Sequence, residues 1–143
     1  MLTLFLVALA SATLLPGGSE VWLARLWCTG EPAMLLWAVA SLGNILGSLV
    51  NVALGRYARQ FQDRRWFPVS RHGLERAERW YRRIGEWSLL VSWAPVIGDP
   101  LTVLAGVLQL PWWRAILLIT LAKAVRYALV LWLAEAWLAP LCR

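Results

Sequence analysis

Four charged side chains stand inside apolar runs: Glu20, Asp99, Lys123 and Arg126. Charge in a membrane-embedded segment is costly, so such residues normally pair, face water, or mark an ion or substrate path. The two acids share a setting. Glu20 stands four residues after Pro16, and Asp99 four after Pro95. Proline removes a backbone donor and glycine loosens a helix, so Pro16-Gly17-Gly18 and Pro95 to Gly98 predict helix breaks. A break at membrane depth is tolerated only where it is buried in protein or lines a wet cavity. Two carboxylates facing one cavity resist carrying two negative charges together, which is a physical basis for proton coupling through Glu20 and Asp99. Lys123, Arg126 and Tyr127 fall at i, i+3 and i+4, one helical face. The cations suit two roles: neutralising the acids, or binding a phosphate headgroup, for which arginine offers a fork of donors.

The elements that must position these groups come in a repeated register. Pro16, Glu20 and Pro32 recur as Pro95, Asp99 and Pro111, each 79 residues on. A long apolar stretch follows each time, Ala33 to Gly55 and Trp112 to Leu138. Gly/Pro-interrupted apolar segments at corresponding places in two halves point to a transport site. The limbs around each break are shorter than the roughly 20 residues needed to cross a bilayer. They predict re-entrant hairpins with tips at Pro16, Gly17 and Gly18, and at Pro95 and Gly98; one ordinary span, roughly 3–25, kinked at Pro16, is the alternative. The expected fold is an all-α integral membrane protein of two inverted repeats, each a re-entrant hairpin plus one transmembrane helix. It forms one membrane domain over 1–143: repeat one 1–55, a connector 56–83, repeat two 84–143.

Composition agrees with a membrane protein: 60% of the 143 residues are hydrophobic and mean hydropathy is +0.60. The net charge of +6 is local. Residues 56–83 hold nine arginines against Asp63, Glu75 and Glu78, which leaves five charges of each sign elsewhere (14 − 9 and 8 − 3). A short arginine-rich loop between apolar segments predicts a cytoplasmic connector, not nucleic-acid binding. After Gly73, Leu74, Ala77, Tyr81 and Ile84 share a helix face flanked by arginines, a basic amphipathic helix for an anionic bilayer surface. His72 reads as solvated. In the first long span, Asn44, Gly47, Ser48, Asn51 and Gly55 form one small, polar face. That is a helix-packing face, with Asn44, Asn51 and Tyr127 as candidate cavity lining. By the 79-residue offset this face is expected opposite Lys123 and Arg126. Arg25 suits either pairing with Glu20 or snorkelling; Glu135 reads as interfacial. Tryptophans such as Trp112, Trp113, Trp132 and Trp137 suit interfacial belts. Cys28 and Cys142 have no metal spacing, and a disulfide between them is possible. No nucleophile–base set, metal cluster or phosphate loop is apparent, so neither an enzyme nor a cofactor is expected.

Several motifs resemble a known family: Ser11 to Val21, with Pro16-Gly17-Gly18-Ser19-Glu20; Gly43-Asn44-x-Leu46-Gly47 with Asn51 and Leu54-Gly55-Arg56; Leu89-Leu90-x-Ser92-Trp93-x-Pro95-Val96-x-Gly98-Asp99; and Lys123-Ala124-x-Arg126-Tyr127. Together they are similar to a short branch of the DedA family, which carries the SNARE-associated or VTT domain. The resemblance implies a multi-pass bacterial inner-membrane protein with two opposed re-entrant hairpins. It further implies movement of lipids, phospholipid or undecaprenyl phosphate, between leaflets, dependence on the proton-motive force, and a part in envelope homeostasis. Glu20 matches the family's acid after the first proline. Many larger members carry an arginine-rich motif at the second proline. Here Ser92 and Gly98 hold those places and Asp99 follows, so Arg126 is the expected source of that positive charge. Membrane lipids are the expected partners. A proton- or cation-coupled small-solute transporter and a non-transport membrane structural or assembly factor are the competing expectations.

Overall fold

The computed structural model describes residues 1–13, 18–61, 71–94 and 98–138. These are helical, without strands: α1 Leu2–Thr13, α2 Gly18–Cys28, α3 Ala33–Arg59, α4 Arg71–Ile84, a 3-10 helix Glu86–Trp93, α5 Gly98–Val107 and α6 Trp112–Leu138. Pro16, Gly17, Pro95 and Cys142 lie outside the described residues. α3 and α6 are each 27 residues, about 40 Å at 1.5 Å per residue, and both are long and apolar enough to cross a bilayer. α1, α2 and α5, at 12, 11 and 10 residues, are not.

α3 and α6 begin and end 79 residues apart, and the turns before them match bond for bond. Gly30 N–H donates to Trp27 O (3.1 Å) and Glu31 N–H to Leu26 O (3.3 Å); Gln109 N–H donates to Gly106 O (2.9 Å) and Leu110 N–H to Ala105 O (3.0 Å). This is a left-handed helix stop: φ is 88° at Gly30 and 57° at Gln109. A proline then starts the next helix, where its missing N–H costs nothing.

The small face of α3 is buried, but it does not face Lys123 and Arg126 as the offset led us to expect. Two short helices cover it. A Cβ at Gly43 would lie 2.6 Å from Phe5 O, and one at Gly47 2.6 Å from Leu9 O, so α1 packs backbone to backbone there. Further along, Gly55 meets Val103 O of α5, and Gly106 meets Val52 O of α3. Glycine lets each short helix approach closely, and interhelical van der Waals contact is what holds helices together in lipid. The face is therefore used within the first half and across to α5, leaving α6 to contact α3 elsewhere, as where Trp37 Nε1 donates to Ala124 O (2.9 Å). Replacing Gly106 with valine puts side-chain atoms into α3 backbone. We expect little monodisperse protein and a Tm lower by more than 10 °C, whereas Gly30→Ala, with no atom within 4 Å of its added Cβ, should cost only about 1 kcal/mol for its positive φ. Thermal unfolding followed by size exclusion in detergent checks both.

α3 runs on to Arg59, so two arginines of the basic stretch sit on the helix. Arg56 donates to Leu110 O and Arg59 Nη1 to Val107 O (2.8 Å), capping the carbonyl end of α5. Arg76, Arg79, Arg82 and Arg83 of α4 are exposed, as is His72. Cys28, the last residue of α2, is disulfide-bonded.

Candidate functional site

The helix breaks put each acid in the first turn of a helix. Glu20 is the third residue of α2 and Asp99 the second of α5, where unpaired N–H groups and the helix dipole favour negative charge. Gly98, which opens α5, packs against the Ser92 backbone. α6 supplies both cations from one face. Lys123 Nζ lies 3.1 Å from Asp99 Oδ1, and Arg126 pairs with Glu20 Oε1. Lys123 and Arg126 are buried, as is Tyr127. Each acid thus has its own counter-charge, the first of the two roles open to the cations. Arg25 does not compete for Glu20; its guanidinium lies over the Trp22 ring, 5.4 Å from the centroid.

Beside the Glu20–Arg126 pair runs a buried chain of polar groups. Tyr127 OH and Ser19 Oγ are 2.7 Å apart, Ser19 Oγ and Ser11 Oγ 3.2 Å, and Asn44 Nδ2 donates to Ser11 Oγ (3.1 Å) and to Ala8 O (3.0 Å). Asn51 Nδ2 donates to Ala12 O (2.7 Å). Asn44 and Asn51 thus tie α3 to the backbone of α1, and Tyr127 ties α6 to the start of α2. Each bond satisfies a polar group where water is scarce. Ser11 and Ser19 are site residues that sequence reasoning passed over. Their signal was present, since Ser19 adjoins Glu20 and Ser11 stands eight residues before it. Replacing Tyr127 with phenylalanine removes the α6 end of this chain while keeping the ring; the expected loss is about 1 kcal/mol of stability, read as a small fall in Tm.

The two ion pairs differ in their surroundings. Arg126 and Glu20 line an apolar groove of about 300 Å³ with Trp93, Leu129, Trp132 and Leu133. Glu20 also borders a second groove of about 510 Å³ along Val21, Val130 and Trp137. Neither Lys123 nor Asp99 lines either groove. The acids are exposed to a similar extent, 20% for the Asp99 side chain and 23% for Glu20, and the cations stay buried, at 0% for Lys123 and 9% for Arg126, so the difference lies in what each pair borders. Among the described residues no group of three or more His, Cys, Asp or Glu side chains is placed to hold a metal ion.

The described residues form an all-helical chain with two apolar helices of spanning length, one of which, α6, pairs its charges with the short helices α2 and α5. The chain belongs to the VTT-domain, or DedA, family: the model of the VTT domain matches residues 3–135. It is 40% identical over 131 residues to the inner membrane protein YqaA of Escherichia coli K12, covering 91% of this chain and 87% of that one. The same figures hold for inner membrane protein YqaA of Shigella flexneri. An uncharacterised Haemophilus influenzae protein is 35% identical over 145 residues, covering 94% of this chain and 87% of its own length. No solved structure matches.

Proposed function

We propose that the protein moves phosphate-headgroup lipids between the leaflets of a bacterial inner membrane. One observation carries the reading: the Glu20–Arg126 pair forms the polar floor of a groove whose walls are otherwise apolar. A lipid needs that combination, a guanidinium for its phosphate and apolar walls for its chains. The phosphate displaces Glu20 from Arg126, and protonation of the released carboxyl keeps it from carrying unpaired charge in a low dielectric. Lys123–Asp99, away from both grooves, holds α6 against α5. We read the two halves as inverted repeats, each a re-entrant pair of short segments plus one crossing helix, with the arginine-rich connector cytoplasmic. The common 79-residue register and the positive-inside rule support this.

The test is reconstitution. Purified protein goes into vesicles carrying a fluorescent phosphate-headgroup lipid, and a membrane-impermeant reductant bleaches the outer leaflet. Protein-dependent loss of the inner-leaflet signal is expected; a signal that stays at half with folded protein present sinks the proposal. The pairing of both cations also favours a second reading, an assembly factor whose charges only hold helices together. Under it, variants that keep the fold keep the phenotype whatever the charge at position 126.

A further inference from the structure

At the end of the molecule away from Arg56 and Arg59 lies a groove of about 570 Å³ that shares Trp132 with the lipid groove and is otherwise lined by residues the lipid reading does not use. The end of α2, the start of α3 and the end of α6 build it. Three indoles line it, Trp27, Trp37 and Trp132, with Met34 and the carboxylate of Glu135. Trp37 is fixed by its N–H bond to Ala124 O (2.9 Å). Trp132 and Met34 are 65% and 75% exposed. Glu135 is exposed and makes no ion pair or hydrogen bond with another described residue. Aromatic belts are ordinary at this depth. A free carboxylate in the same concavity as three indoles is a more specific combination. Indole faces attract cations, most of all those bearing alkyl groups, and a carboxylate supplies the countercharge.

We propose that this groove binds an ammonium group carried on apolar substituents. Its position three residues from the end of α6 sets it at the level of lipid headgroups, so the ammonium belongs either to a lipid amine headgroup or to a free organic cation. Both bring a positive nitrogen with carbon attached to Trp132 and Glu135, the free cation on alkyl groups and the lipid on the ethyl arm of its headgroup.

The experiment uses the full chain in nanodiscs, half phosphatidylglycerol and half neutral glycolipid, which contain no amine. Tetrapropylammonium is titrated against sodium chloride of equal ionic strength, with tryptophan fluorescence as the readout. A saturable change is expected. Glu135→Gln and Trp132→Ala should each raise its midpoint about tenfold, while Glu31→Gln, exposed and outside the groove, should leave it unmoved. Should Trp132→Ala fail to give monodisperse protein, Trp132→Phe, whose ring attracts cations less, is expected to raise the midpoint by a smaller factor. Replacing the glycolipid with phosphatidylethanolamine distinguishes the sources. A higher midpoint identifies a lipid amine as the occupant, and an unchanged one identifies a free cation. A change that never saturates, or a midpoint that neither Glu135→Gln nor the Trp132 variants move, overturns the proposal.

Discussion

Neutralising Glu20 and Arg126 together, as Glu20→Gln with Arg126→Gln, is expected to give a folded protein that moves lipid about 10- to 100-fold more slowly. The double variant is the informative one. Arg126→Gln alone leaves Glu20 without its cation in a site of low dielectric, and breaking a buried pair from one side costs about 3–5 kcal/mol. A loss of activity in that variant reports misfolding as readily as lost binding. Removing both charges takes away the desolvation cost together with the attraction, so stability should return to near that of the parent protein. The groove keeps its walls, Trp93, Leu129, Trp132 and Leu133. What it lacks is the guanidinium, whose charge-assisted bonds to a phosphate are worth about 1.5–3 kcal/mol each. Vesicle assays beside thermal unfolding of the same preparations check the result. Full activity in the double variant would move the assembly reading to the front.

The second large effect is expected at the other pair, with the opposite split. Asp99→Asn alone should destabilise strongly, by about 3–5 kcal/mol, because it leaves the Lys123 ammonium buried with no exposed surface. Asp99→Asn with Lys123→Met should recover the Tm and, unlike the first double variant, should also recover lipid movement. Met fills most of the lysine stem's volume without a charge. The contrast between the two double variants is the measurement that matters: it separates a pair that only holds helices from a pair that lines the apolar groove. If the second double variant is stable and inactive, Lys123 or Asp99 takes part in transport and the division of roles is wrong.

Much of this arrangement was legible in the residues. The breaks expected near Pro16 and Pro95 fall where α1 gives way to α2 and just before α5 begins, with Pro16, Gly17 and Pro95 outside the described residues. The periodic apolar stretches gave the two long helices, since α6 spans the 112–138 expected of it and α3 starts at Ala33 as expected. The i, i+3, i+4 spacing of Lys123, Arg126 and Tyr127 gave one buried face. The partners of that face were harder to read. Repeat symmetry suggested that small residues of one long helix oppose basic residues of the other. Glycines, however, admit any backbone that comes close, and α1 and α5 occupy the places. The assignment of one acid to each cation also lay beyond the sequence, because it depends on how the short helices dock. The hydroxyls of Ser11 and Ser19 were hidden for a plainer reason: serine is common in apolar helices and only its neighbours show what it bonds. At the second helix stop, Gln109 takes the left-handed conformation that Gly30 takes at the first, so a search for glycine finds only one of two equivalent turns.

Both cations sit on α6, and their register mates on α3 are Asn44 and Gly47. The charge ledger therefore closes only over the whole chain: Glu20 and Asp99 against Lys123 and Arg126. Two copies of the first half would bring two acids and no span cation. Two copies of the second would bring two acids and four cations. Neither half alone, singly or doubled, reproduces the two pairs. The two halves are complementary in charge, one specialising in small residues that let helices touch and the other in the bases that hold the acids. Expressing the halves as separate polypeptides should for the same reason give stable protein only when both are made together.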